Sequence, residues 1–553
     1  KVAVAAVSSL LLVAMVVALM YNGRGDDAGG GGVDVAASQK AMVTIDTLCS
    51  STDYKKACVD TLRDSGNSTS DPKELMEIAF RATMDRIAAA GRNSSVLREV
   101  QRDPRGREAV DACAELAERA VADLNRTFEK FSKEFSEFDL TNADEVVGDL
   151  KIWLSGAVTY QETCLDGFEG VSGDAGDRMR DLLTLSMQMS SNALAMMTGM
   201  QSILSSFSSS SSSAAALGSR RRRLLSEKDD LPKLNIMKPD LIVAKDGSGD
   251  FKTINEALFK VPENSEKTFV LYIKEGIYEE QVKINSSFTN LLVVGDGPLK
   301  TRITGKLNFV NGTTTYQSAT VAVHGDRFTA MDVGFENAAG PEGHQAVALR
   351  VSADLAVFYN CHMDGYQDTL YAHTYRQFYR DCTISGTIDY IFGDAAALFQ
   401  GCTMVVRKPL ANQYCIVTAQ GRKDVHQPTG LVLQNCSVVG DPAYYPVMDV
   451  NKAYLARPWK LYSRAVIMES YIDRIIQPDG YLEWNGTFAL DTLFYTEFNN
   501  RGPGADKSRR LKWTGIKELT GKRMKRFTGD DFIDGSRWTK HNKMKIPYKG
   551  GFV

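Results

Sequence analysis

Four short stretches decide the fold: Phe358-Tyr-Asn-Cys361, Tyr379-Arg-Asp-Cys382, Phe399-Gln-Gly-Cys402 and Leu433-Gln-Asn-Cys436. Each places an apolar residue three positions before a cysteine, and the cysteines follow one another at steps of 21, 20 and 34 residues. A period near twenty residues, with one set of short strands in each repeat, is typical of a solenoid. The sequence therefore predicts an all-β, right-handed parallel β-helix, in which an inserted loop accounts for the longest step.

The region around these stretches has the pattern of many short strands. After Asp240, runs rich in Val, Ile and Phe alternate with Gly/Asn/Asp turns, as in Leu291–Gly297 and Val321–Asp326. Equivalent positions on adjacent coils of a β-helix lie about 5 Å apart, so Cys382 and Cys402 come within reach of a disulfide bond. A stack of two reduced cysteines fits the same geometry, and we favour the bond because the chain has features of a secreted protein.

The same coil spacing relates four polar side chains. Asp368 and Asp389 are 21 residues apart, and Gln345 and Gln367 are 22 residues apart. One coil therefore separates the members of each pair, so we expect both carboxylates and both amides on one face of the β-helix. A lone aspartate in a β-helix usually caps a turn or joins a side-chain ladder, but four polar residues repeated over two coils favour a functional site.

A pair of neighbouring carboxyl groups supplies two different chemical groups at one pH. Like charges at short range disfavour each other, so one carboxyl group keeps its proton while the other stays anionic. The anionic group serves as nucleophile or base, and the protonated group serves as acid. Two neutral amides nearby can donate hydrogen bonds to an oxyanion. Arg457 is the candidate cation that would hold one carboxylate in its ionised form.

The N-terminal part of the chain has a helical pattern. Between about Ser38 and Phe207, stretches such as Pro72–Ala90, Glu108–Phe138 and Asp177–Met200 carry apolar residues at i, i+3, i+4 and i+7. The simplest architecture for residues 38–207 is an all-α four-helix bundle. Its cysteines suggest two disulfide bonds, although four cysteines allow three pairings. The close pair and the distant pair are Cys49 with Cys58 and Cys113 with Cys164.

A compositionally biased linker over residues 208–238 separates the two regions. The serine run Ser205–Ser213 ends the helical pattern, and the basic block Arg220–Arg223 follows it. Basic blocks usually form a solvated linker or a nucleic-acid contact. Because proteolysis concentrates in exposed linkers, we favour a processing site here and expect no nucleic-acid partner.

The extreme N-terminus is apolar. Val2–Met20 is interrupted only by two serines, follows a basic residue and is long enough to span a bilayer. A buried core helix is the alternative, but the glycine-rich stretch Asn22–Gly32 follows at once. Residues 1–37 are therefore predicted to be a signal peptide or signal anchor with a linker, which would allow transient membrane anchoring through residues 2–20.

Cysteine content and sequons agree with a secreted protein, and charge divides unevenly between the two halves of the chain. Nine cysteines behind a leader indicate an oxidising compartment. From Leu231 to Val553 there are 39 Lys+Arg and 34 Asp+Glu, a net charge of +5, and subtraction leaves 26 and 34, a net charge of −8, for residues 1–230. A basic half suits an anionic partner and an acidic half suits docking onto it, although solvated surface charge explains these numbers equally well. Glycosylation sequons occur at Asn67, Asn93, Asn125, Asn285, Asn311, Asn435 and Asn485.

Five segments resemble the signature motifs of pectin methylesterases. They are Ala244–Phe251, Gly365–Tyr371, Gly386–Gly393, Val417–Arg422 and Leu455–Trp459. The resemblance extends in order over about Pro239–Val553, which makes residues 239–553 the expected catalytic domain. It implies a carboxylic ester hydrolase, a pectinesterase, that removes the C6 methyl esters of pectin (homogalacturonan) as methanol and modifies the plant cell wall.

The N-terminal half resembles the pectin methylesterase inhibitor family, again with four cysteines. This arrangement is that of plant enzymes made with an inhibitor-like pro region. The linker residues Arg222, Arg223, Leu224 and Leu225 resemble the subtilase-type processing motif found between the two parts. The resemblance implies a secreted, monomeric cell-wall protein whose partners are pectin, its own pro region as intramolecular inhibitor, and a subtilase-type protease.

The roles of family residues carry over to the matching positions. Asp389 matches the nucleophile in the Gly-Thr-x-Asp motif, and Asp368 matches the general acid/base in Tyr-Gln-Asp. Gln345 and Gln367 match the residues that stabilise the oxyanion. The remaining matches are Arg457, which holds the nucleophile, Trp459 and Thr315, which contact the sugar, and Cys382 with Cys402, which form a family disulfide.

Three positions depart from the family pattern. Ala456 stands where the family usually has glycine, Asp394 stands where asparagine is common, and Cys415 is an extra cysteine. None removes a catalytic group. Ala456 would shift Arg457 if the family glycine held a positive φ, and Asp394 would add negative charge near Asp389.

The resemblance implies neither a cofactor nor a metal. The six histidines are scattered without an H-E-x-x-H pattern, and there is no G-x-S-x-G elbow. His344 is expected to be only a neighbour of Gln345, because successive strand residues face opposite sides. Two alternatives stay open: a β-helix lyase or glycoside hydrolase, for which paired aspartates would also serve, and an inhibitor or binding protein with an idle C-terminal domain.

Overall fold

A computed structural model of the chain describes residues 35–64, 69–92, 100, 103–136, 143–211, 238–539 and 546–553. The chain divides into two compact units, Lys1–Asp229 and Asp230–Val553. The predicted leader Val2–Met20 and the predicted processing motif Arg222–Leu225 lie outside the described residues. Within the described residues, no helix is long and apolar enough to cross a membrane.

The described part of the N-terminal unit is helical. Its helices are α1 (Val35–Cys49), α2 (Lys55–Asp64), α3 (Pro72–Gly91), α4 (Pro104–Ser136), α5 (Ala143–Asp166) and α6 (Ala175–Ser211). The four long helices, α3 to α6, pack against one another and confirm the predicted four-helix bundle. Helix α5 is buried along most of its length and packs against α4 and α6. The shorter helices α1 and α2 pack against each other and against α3.

Two disulfide bonds join helices that are adjacent in sequence. Cys49 at the end of α1 is bonded to Cys58 in α2, and Cys113 in α4 is bonded to Cys164 in α5. This is the pairing that the spacing suggested. Each bond shortens the loop available to the unfolded chain and so favours the folded bundle.

Helix α6 extends further than the composition predicts. The serine run predicts a helix end near Phe207, whereas α6 continues to Ser211. Serine lowers helix propensity only modestly relative to alanine. Its hydroxyl also finds a partner inside a helix, as when Ser202 Oγ donates to Thr198 O at 3.0 Å. Serine alone is therefore a poor predictor of the end of a long helix.

The C-terminal unit consists of short strands with a few short helices. The strands are β1 (Leu241–Val243), β2 (Phe269–Ile273), β3 (Gly276–Glu279), β4 (Val282–Ile284), β5 (Leu291–Val294), β6 (Thr301–Gly305), β7 (Val321–Val323), β8 (Thr329–Met331), β9 (Gly334–Asn337), β10 (Leu349–Val351), β11 (Ala356–Tyr359), β12 (His362–Asp364), β13 (Leu370–Ala372), β14 (Arg376–Arg380), β15 (Thr383–Gly386), β16 (Ile391–Gly393), β17 (Ala396–Gln400), β18 (Thr403–Val406), β19 (Cys415–Gln420), β20 (Gly430–Gln434), β21 (Ser437–Gly440), β22 (Ala453–Ala456), β23 (Arg464–Met468), β24 (Tyr471–Ile472) and β25 (Phe494–Phe498). The helices are α7 (Ile254–Leu258), α8 (Gly521–Met524), α9 (Gly529–Phe532) and α10 (Gly535–Trp538).

These strands form three parallel sheets. Sheet A has the order β1-β2-β5-β8-β11-β14-β17-β20-β23-β25, sheet B has the order β24-β21-β18-β15-β12-β9-β6-β3, and sheet C has the order β22-β19-β16-β13-β10-β7-β4. From β4 to β24, strands three apart in sequence are neighbours, so each coil contributes one strand to each sheet. This is the predicted right-handed parallel β-helix. Its long step comes from loops on either side of β19.

The apolar residues of the four opening stretches stack inside the β-helix. Phe358, Tyr379, Phe399 and Leu433 are register partners in sheet A. The ring centres of Phe358 and Tyr379 lie 5.0 Å apart, and those of Tyr379 and Phe399 lie 4.5 Å apart. The sequence period and the coil period are therefore the same.

The predicted bond between Cys382 and Cys402 is wrong. Four buried cysteines carry free thiols at equivalent positions of successive coils: Cys361, Cys382, Cys402 and Cys436. Cys382 Sγ donates to Phe358 O at 3.4 Å, and Cys402 Sγ donates to Tyr379 O at 3.5 Å, each on the preceding coil. Equivalent side chains on parallel neighbours point the same way at about 4.8 Å, wider than the Cβ separation of about 3.8 Å in a disulfide. The stack of reduced cysteines is therefore the arrangement present.

Candidate active site

Two aspartates occupy the same turn on adjacent coils, each just before a strand of sheet C. Leu370 pairs with Ile391, which puts Asp368 and Asp389 in register. The amide of Asp368 donates to Ile388 O at 3.0 Å and ties the two turns together. Both aspartates are buried, at 7% and 4% exposure. They lie about one strand spacing apart, as the step of 21 residues predicts.

Both aspartates have the left-handed backbone conformation. The φ angle is 62° at Asp368 and 50° at Asp389. Aspartate is among the few residues that enter this region readily, which explains its place in so tight a turn. The turn before Asp389 also needs glycine, because a Cβ on Gly386 would lie 2.2 Å from Tyr390 Cβ and 2.7 Å from Tyr366 O.

Arg457 forms a bidentate ion pair with Asp389. Its Nε lies 2.8 Å from Oδ1 and 3.1 Å from Oδ2, and its Nη2 lies 2.5 Å from Oδ2. The guanidinium carbon lies 4.4 Å from the centre of the Trp484 ring. Burial lowers the pKa of Arg457, but the charge and hydrogen bonds of Asp389 raise that pKa above its ordinary value. The arginine therefore stays charged and holds the Asp389 carboxylate in one orientation.

Gln345 and Gln367 lie on successive turns beside this pair. The carbonyl of Gln367 accepts the amide N–H of Ala346 at 3.2 Å, so the two turns are hydrogen-bonded. Both glutamines are half-buried, and His344 is exposed. Their spacing of 22 residues puts Gln345 in register with Tyr366 rather than with Gln367. The predicted residues thus share one face, with the glutamines offset by one position.

Trp459 packs against a stacked aromatic pair close to this face. Tyr371 and Phe392 are neighbours in sheet C, and their ring centres lie 4.1 Å apart. The Trp459 ring meets them edge-on, at 6.2 Å and 5.8 Å. Trp459 approaches Gly421 so closely that a Cβ there would lie 2.7 Å from the indole ring. The half-buried indole therefore offers a fixed apolar surface of the kind that a sugar ring contacts.

Thr315 lies in the loop between β6 and β7. Its carbonyl accepts the Ser318 hydroxyl at 2.8 Å, and Ser318 Oγ in turn accepts the amide of Val347 at 3.1 Å. In the same loop, the amide of Phe309 donates to the carbonyl of Gln345 at 2.9 Å. The structure therefore places Thr315 beside the coil that carries Gln345.

Sequence reasoning missed three aromatic residues at this site. Tyr371 and Phe392 are 21 residues apart, the same step as the aspartates, so the coil spacing was a signal that could have found them. Trp484 covers the guanidinium of Arg457 and is 37% exposed. It follows β24 in an irregular segment, where no repeat marks its position.

Two of the departures from the family pattern leave Arg457 undisturbed. Ala456 lies in β22, and its φ is not positive, so no strain follows from the missing glycine. Cys415 is buried at the start of β19 and donates its thiol to Arg407 O at 3.7 Å. Burial raises the pKa of the Cys415 thiol, which therefore stays protonated.

The carboxylate of Asp394 belongs to a separate buried cluster of polar side chains. It accepts hydrogen bonds from Gln420 Nε2 at 3.0 Å, from Gln427 Nε2 at 2.5 Å and from the Thr429 hydroxyl. Burial lowers the pKa of Arg422 to about 10, and the negative charge of Asp394 opposes that shift. Asp394 thus supports a buried arginine.

Within the described residues, no three His, Cys, Asp or Glu side chains are grouped as metal ligands.

Comparison with known proteins gives the family. The model described as "Pectinesterase" matches residues 240–536. The chain belongs to the pectinesterase family. It is therefore a carboxylic ester hydrolase, and the paired aspartates lie within the matched region. A second model, described as "Plant invertase/pectin methylesterase inhibitor", matches residues 43–196, so this pectinesterase has an inhibitor-like N-terminal domain.

Relatives with both parts cover the whole chain. Probable pectinesterase/pectinesterase inhibitor 58 of Arabidopsis thaliana is 44% identical over 100% of this chain and 98% of its own. Probable pectinesterase/pectinesterase inhibitor 21 of the same plant is 44% identical over 99% of this chain and 82% of its own. The solved structure of pectin methylesterase from carrot is 43% identical, with a TM-score of 0.56, over 59% of this chain and 100% of that chain. The whole chain of the carrot structure thus matches only part of this pectinesterase.

Proposed function

We propose that the β-helix hydrolyses the C6 methyl esters of homogalacturonan to free carboxylates and methanol, with Asp389 as nucleophile and Asp368 as acid/base. The observation that carries the proposal is the bidentate Arg457–Asp389 pair beside a second carboxyl group in register. Membership of the pectinesterase family supports the same reaction.

The two aspartates take different roles because their surroundings differ. Arg457 makes three close contacts with the Asp389 carboxylate and holds it in an ion pair of fixed orientation. A second negative charge about one strand spacing away is unfavourable, so the proton of the pair resides on Asp368. Asp389 is then the nucleophile and Asp368 the proton donor.

The reaction proceeds in two steps. An Asp389 oxygen attacks the C6 carbonyl carbon, and the side-chain amides of Gln345 and Gln367 donate to the oxyanion that forms. The C6–OCH3 bond breaks as Asp368 gives its proton to the departing methoxy oxygen, leaving an acyl-enzyme. Water then attacks C6 while Asp368 takes its proton, and cleavage of the acyl bond restores Asp389 and releases the free carboxylate.

Aromatic side chains flank the reacting groups and would bind the polysaccharide. Trp459 is half-buried, and Trp484 is 37% exposed beside Arg457. Flat apolar rings of this kind match the faces of sugar rings and bind them without needing a charge. Thr315 would contact the sugar at the coil of Gln345.

The test separates ester hydrolysis from cleavage of the polymer. Residues Ser226–Val553 and the full-length protein are incubated with methyl-esterified pectin, and methanol and chain length are both measured. We expect methanol release with unchanged chain length. Shortening of the polymer without methanol would instead establish the glycoside hydrolase or lyase alternative, for which a carboxyl pair is also suited.

Asp368→Asn should slow methanol release by on the order of a hundredfold or more, because general acid–base catalysis contributes about that much. Asparagine keeps the size and the backbone of the turn, so the fold should remain unchanged. The measurement is kcat for methanol release, with thermal unfolding as a control for the fold. Unchanged kcat in the folded variant would remove Asp368 from the acid/base role.

We further propose that the N-terminal unit restrains the catalytic domain until a subtilase-type protease cuts near Arg222–Leu225, and that the released enzyme works as a secreted monomer in the cell wall. The unit has its own helical core and two disulfide bonds, and its inhibitor-family match supports a docking role. Because the unit is covalently joined to the catalytic domain, its effective concentration is roughly millimolar, so even modest affinity keeps the face with Asp368 and Asp389 covered. A role only in folding or intracellular retention is the alternative.

Replacing Arg220–Arg223 with alanine should leave an uncut protein that releases methanol at least about tenfold more slowly than the cut form, because the tethered unit competes with substrate. Both forms are purified and assayed at equal concentration of active domain. Protease treatment of an otherwise identical protein with the motif intact is the control. Equal rates in the cut and uncut forms would leave only the folding or retention role.

A further inference from the structure

Arg407 follows β18 and contacts both turns that carry the aspartates. It donates from Nη1 to Gly365 O at 2.8 Å and from Nη2 to the Tyr366 hydroxyl at 3.0 Å. Its guanidinium carbon lies 4.0 Å from the centre of the Tyr366 ring. Its own amide donates to Gly386 O at 2.8 Å. One residue is therefore bound to the turn of Asp368 and to the turn of Asp389.

We propose that Arg407 is a positioning residue that fixes Gln367 and Asp368 relative to Asp389 by binding Gly365 and Tyr366. We call this set of contacts the Arg407 clamp. Its effect on turnover rests on the proposed function, whereas its effect on the order of the two turns does not.

The register explains why a long side chain is needed for the clamp. Gly386 pairs with Val406, and Asp364 pairs with Ser385, so Arg407, Thr387 and Tyr366 are in line on three successive coils. The side chain of Arg407 must therefore pass the small, buried Thr387 to reach Tyr366. The forked guanidinium then binds a carbonyl and a hydroxyl at once, which a lysine ammonium does with less geometric definition.

The turns that the clamp binds are strained. Asp368 and Asp389 both have positive φ, a conformation that aspartate enters more readily than most residues but that still costs free energy, which the contacts around the turns must offset. Tyr366 immediately precedes Gln367, and its carbonyl accepts the amide of Thr387 at 2.8 Å. Movement of Tyr366 would therefore shift both the oxyanion amide and the acid/base.

The side-chain hydrogen bonds of Arg407 all go to the turn that carries Asp368. Within the described residues it forms no salt bridge, and its side-chain hydrogen bonds go to a backbone carbonyl and a phenol. The half-buried guanidinium of Arg407 has no acidic partner among these residues, so it does not compete with Arg457 for the carboxylate of Asp389 or bind that of Asp368. This is the arrangement expected of a support and not of a surface ion pair.

The kinetic test compares Arg407→Met and Arg407→Lys with the unchanged protein after linker cleavage. Because a misplacement of about 1 Å can cost about a hundredfold in rate, Arg407→Met should lower kcat by about 10- to 100-fold, and KM for pectin should change less than about threefold. Arg407→Lys should recover part of the loss. In a Gln367→Ala background, Arg407→Met should cost less than about threefold, since residues that act together are not additive.

A second measurement does not depend on activity. Hydrogen–deuterium exchange should become about tenfold faster at the amides of Asp368 and Thr387 in Arg407→Met, because local opening of the two turns becomes easier. Arg501→Met is the matched control. Arg501 also binds two earlier coils, donating to Glu469 O and to Asn435 Oδ1. Neither partner belongs to the turns of Asp368 and Asp389, so loss of Arg501 should leave kcat and these two amides unchanged.

The outcomes decide the inference separately from the proposed function. Wild-type kcat in Arg407→Met, or an equal loss in Arg501→Met, overturns the positioning role while methanol release by the parent protein stands. Absence of methanol release by the parent overturns the proposed function, and the exchange rates then decide whether the Arg407 clamp orders the turns. Unchanged exchange at Asp368 and Thr387 overturns the clamp in either case.

Discussion

Replacing Asp389 with alanine is expected to abolish methanol release, by on the order of 10⁴-fold or more, while the β-helix stays folded. The methyl side chain cannot form the acyl-enzyme, and the remaining amides can only polarise the ester. Removal of a buried charge partner leaves Arg457 without its carboxylate and should lower the free energy of unfolding by about 3 kcal/mol. The fold should survive because each coil of a solenoid contacts mainly its neighbours.

A matched variant separates lost chemistry from lost stability. Asp354 forms a similar buried pair with Arg376, with Nη2 2.6 Å from Oδ2, in the turn between β10 and β11. Asp354→Ala should therefore lose comparable stability yet keep methanol release well below its unfolding temperature. For both variants, kcat for methanol release and the urea midpoint of unfolding are measured. A folded Asp389→Ala protein with parental kcat would end the nucleophile assignment.

Replacing Arg457 with methionine is expected to cost about 10²- to 10³-fold in kcat, because the group that orients and neutralises the nucleophile is lost. The Asp389 carboxylate is then buried without a partner, which should lower the free energy of unfolding by about 3 kcal/mol. The Arg457 side chain is 21% exposed, so solvent screening should make this loss of stability somewhat smaller. Trp484 should also lose the cation against which it packs.

Arg376→Met serves as the control for this second variant. It breaks the pair with Asp354 and should lower stability by a similar amount, with little effect on methanol release. Arg457→Lys should fall between the parent and the methionine variant, because lysine keeps the charge but not the bidentate geometry. An Arg457→Met protein whose kcat stays within twofold of the parent would show that Asp389 needs no fixed cation.

The relation between the two aspartates could be predicted from the sequence because a solenoid converts a sequence period into a spatial distance. The step of 21 residues from Asp368 to Asp389 is the coil length, and the ladder places them in register. The same period brings Phe358, Tyr379 and Phe399 into one internal stack, although the sequence analysis used it only to infer the coil. The four-helix bundle followed in the same way from the helical period of the N-terminal half.

The period could not decide details that depend on side-chain direction or on irregular segments. Cys382 and Cys402 have the predicted spacing, yet both are reduced, and each thiol donates to a backbone carbonyl of the preceding coil. Trp484 reaches Arg457 from a segment without repeats, so no spacing identifies it. The serine run predicted a helix end that lies at Ser211 instead, because composition alone does not report the hydrogen bonds that serine forms within a helix.

The reach of Arg457 limits where the β-helix could change its length. Ala456 pairs with Thr418, which pairs with Ile391, so Arg457 extends back over two coils to meet Asp389. One more coil inserted between β16 and β22 would add about 4.8 Å to that distance and exceed the side chain. Coils added before β4 or after β25 would leave the pair untouched. Duplication of repeats is thus compatible with activity at the two ends of the cylinder and incompatible with it in the middle.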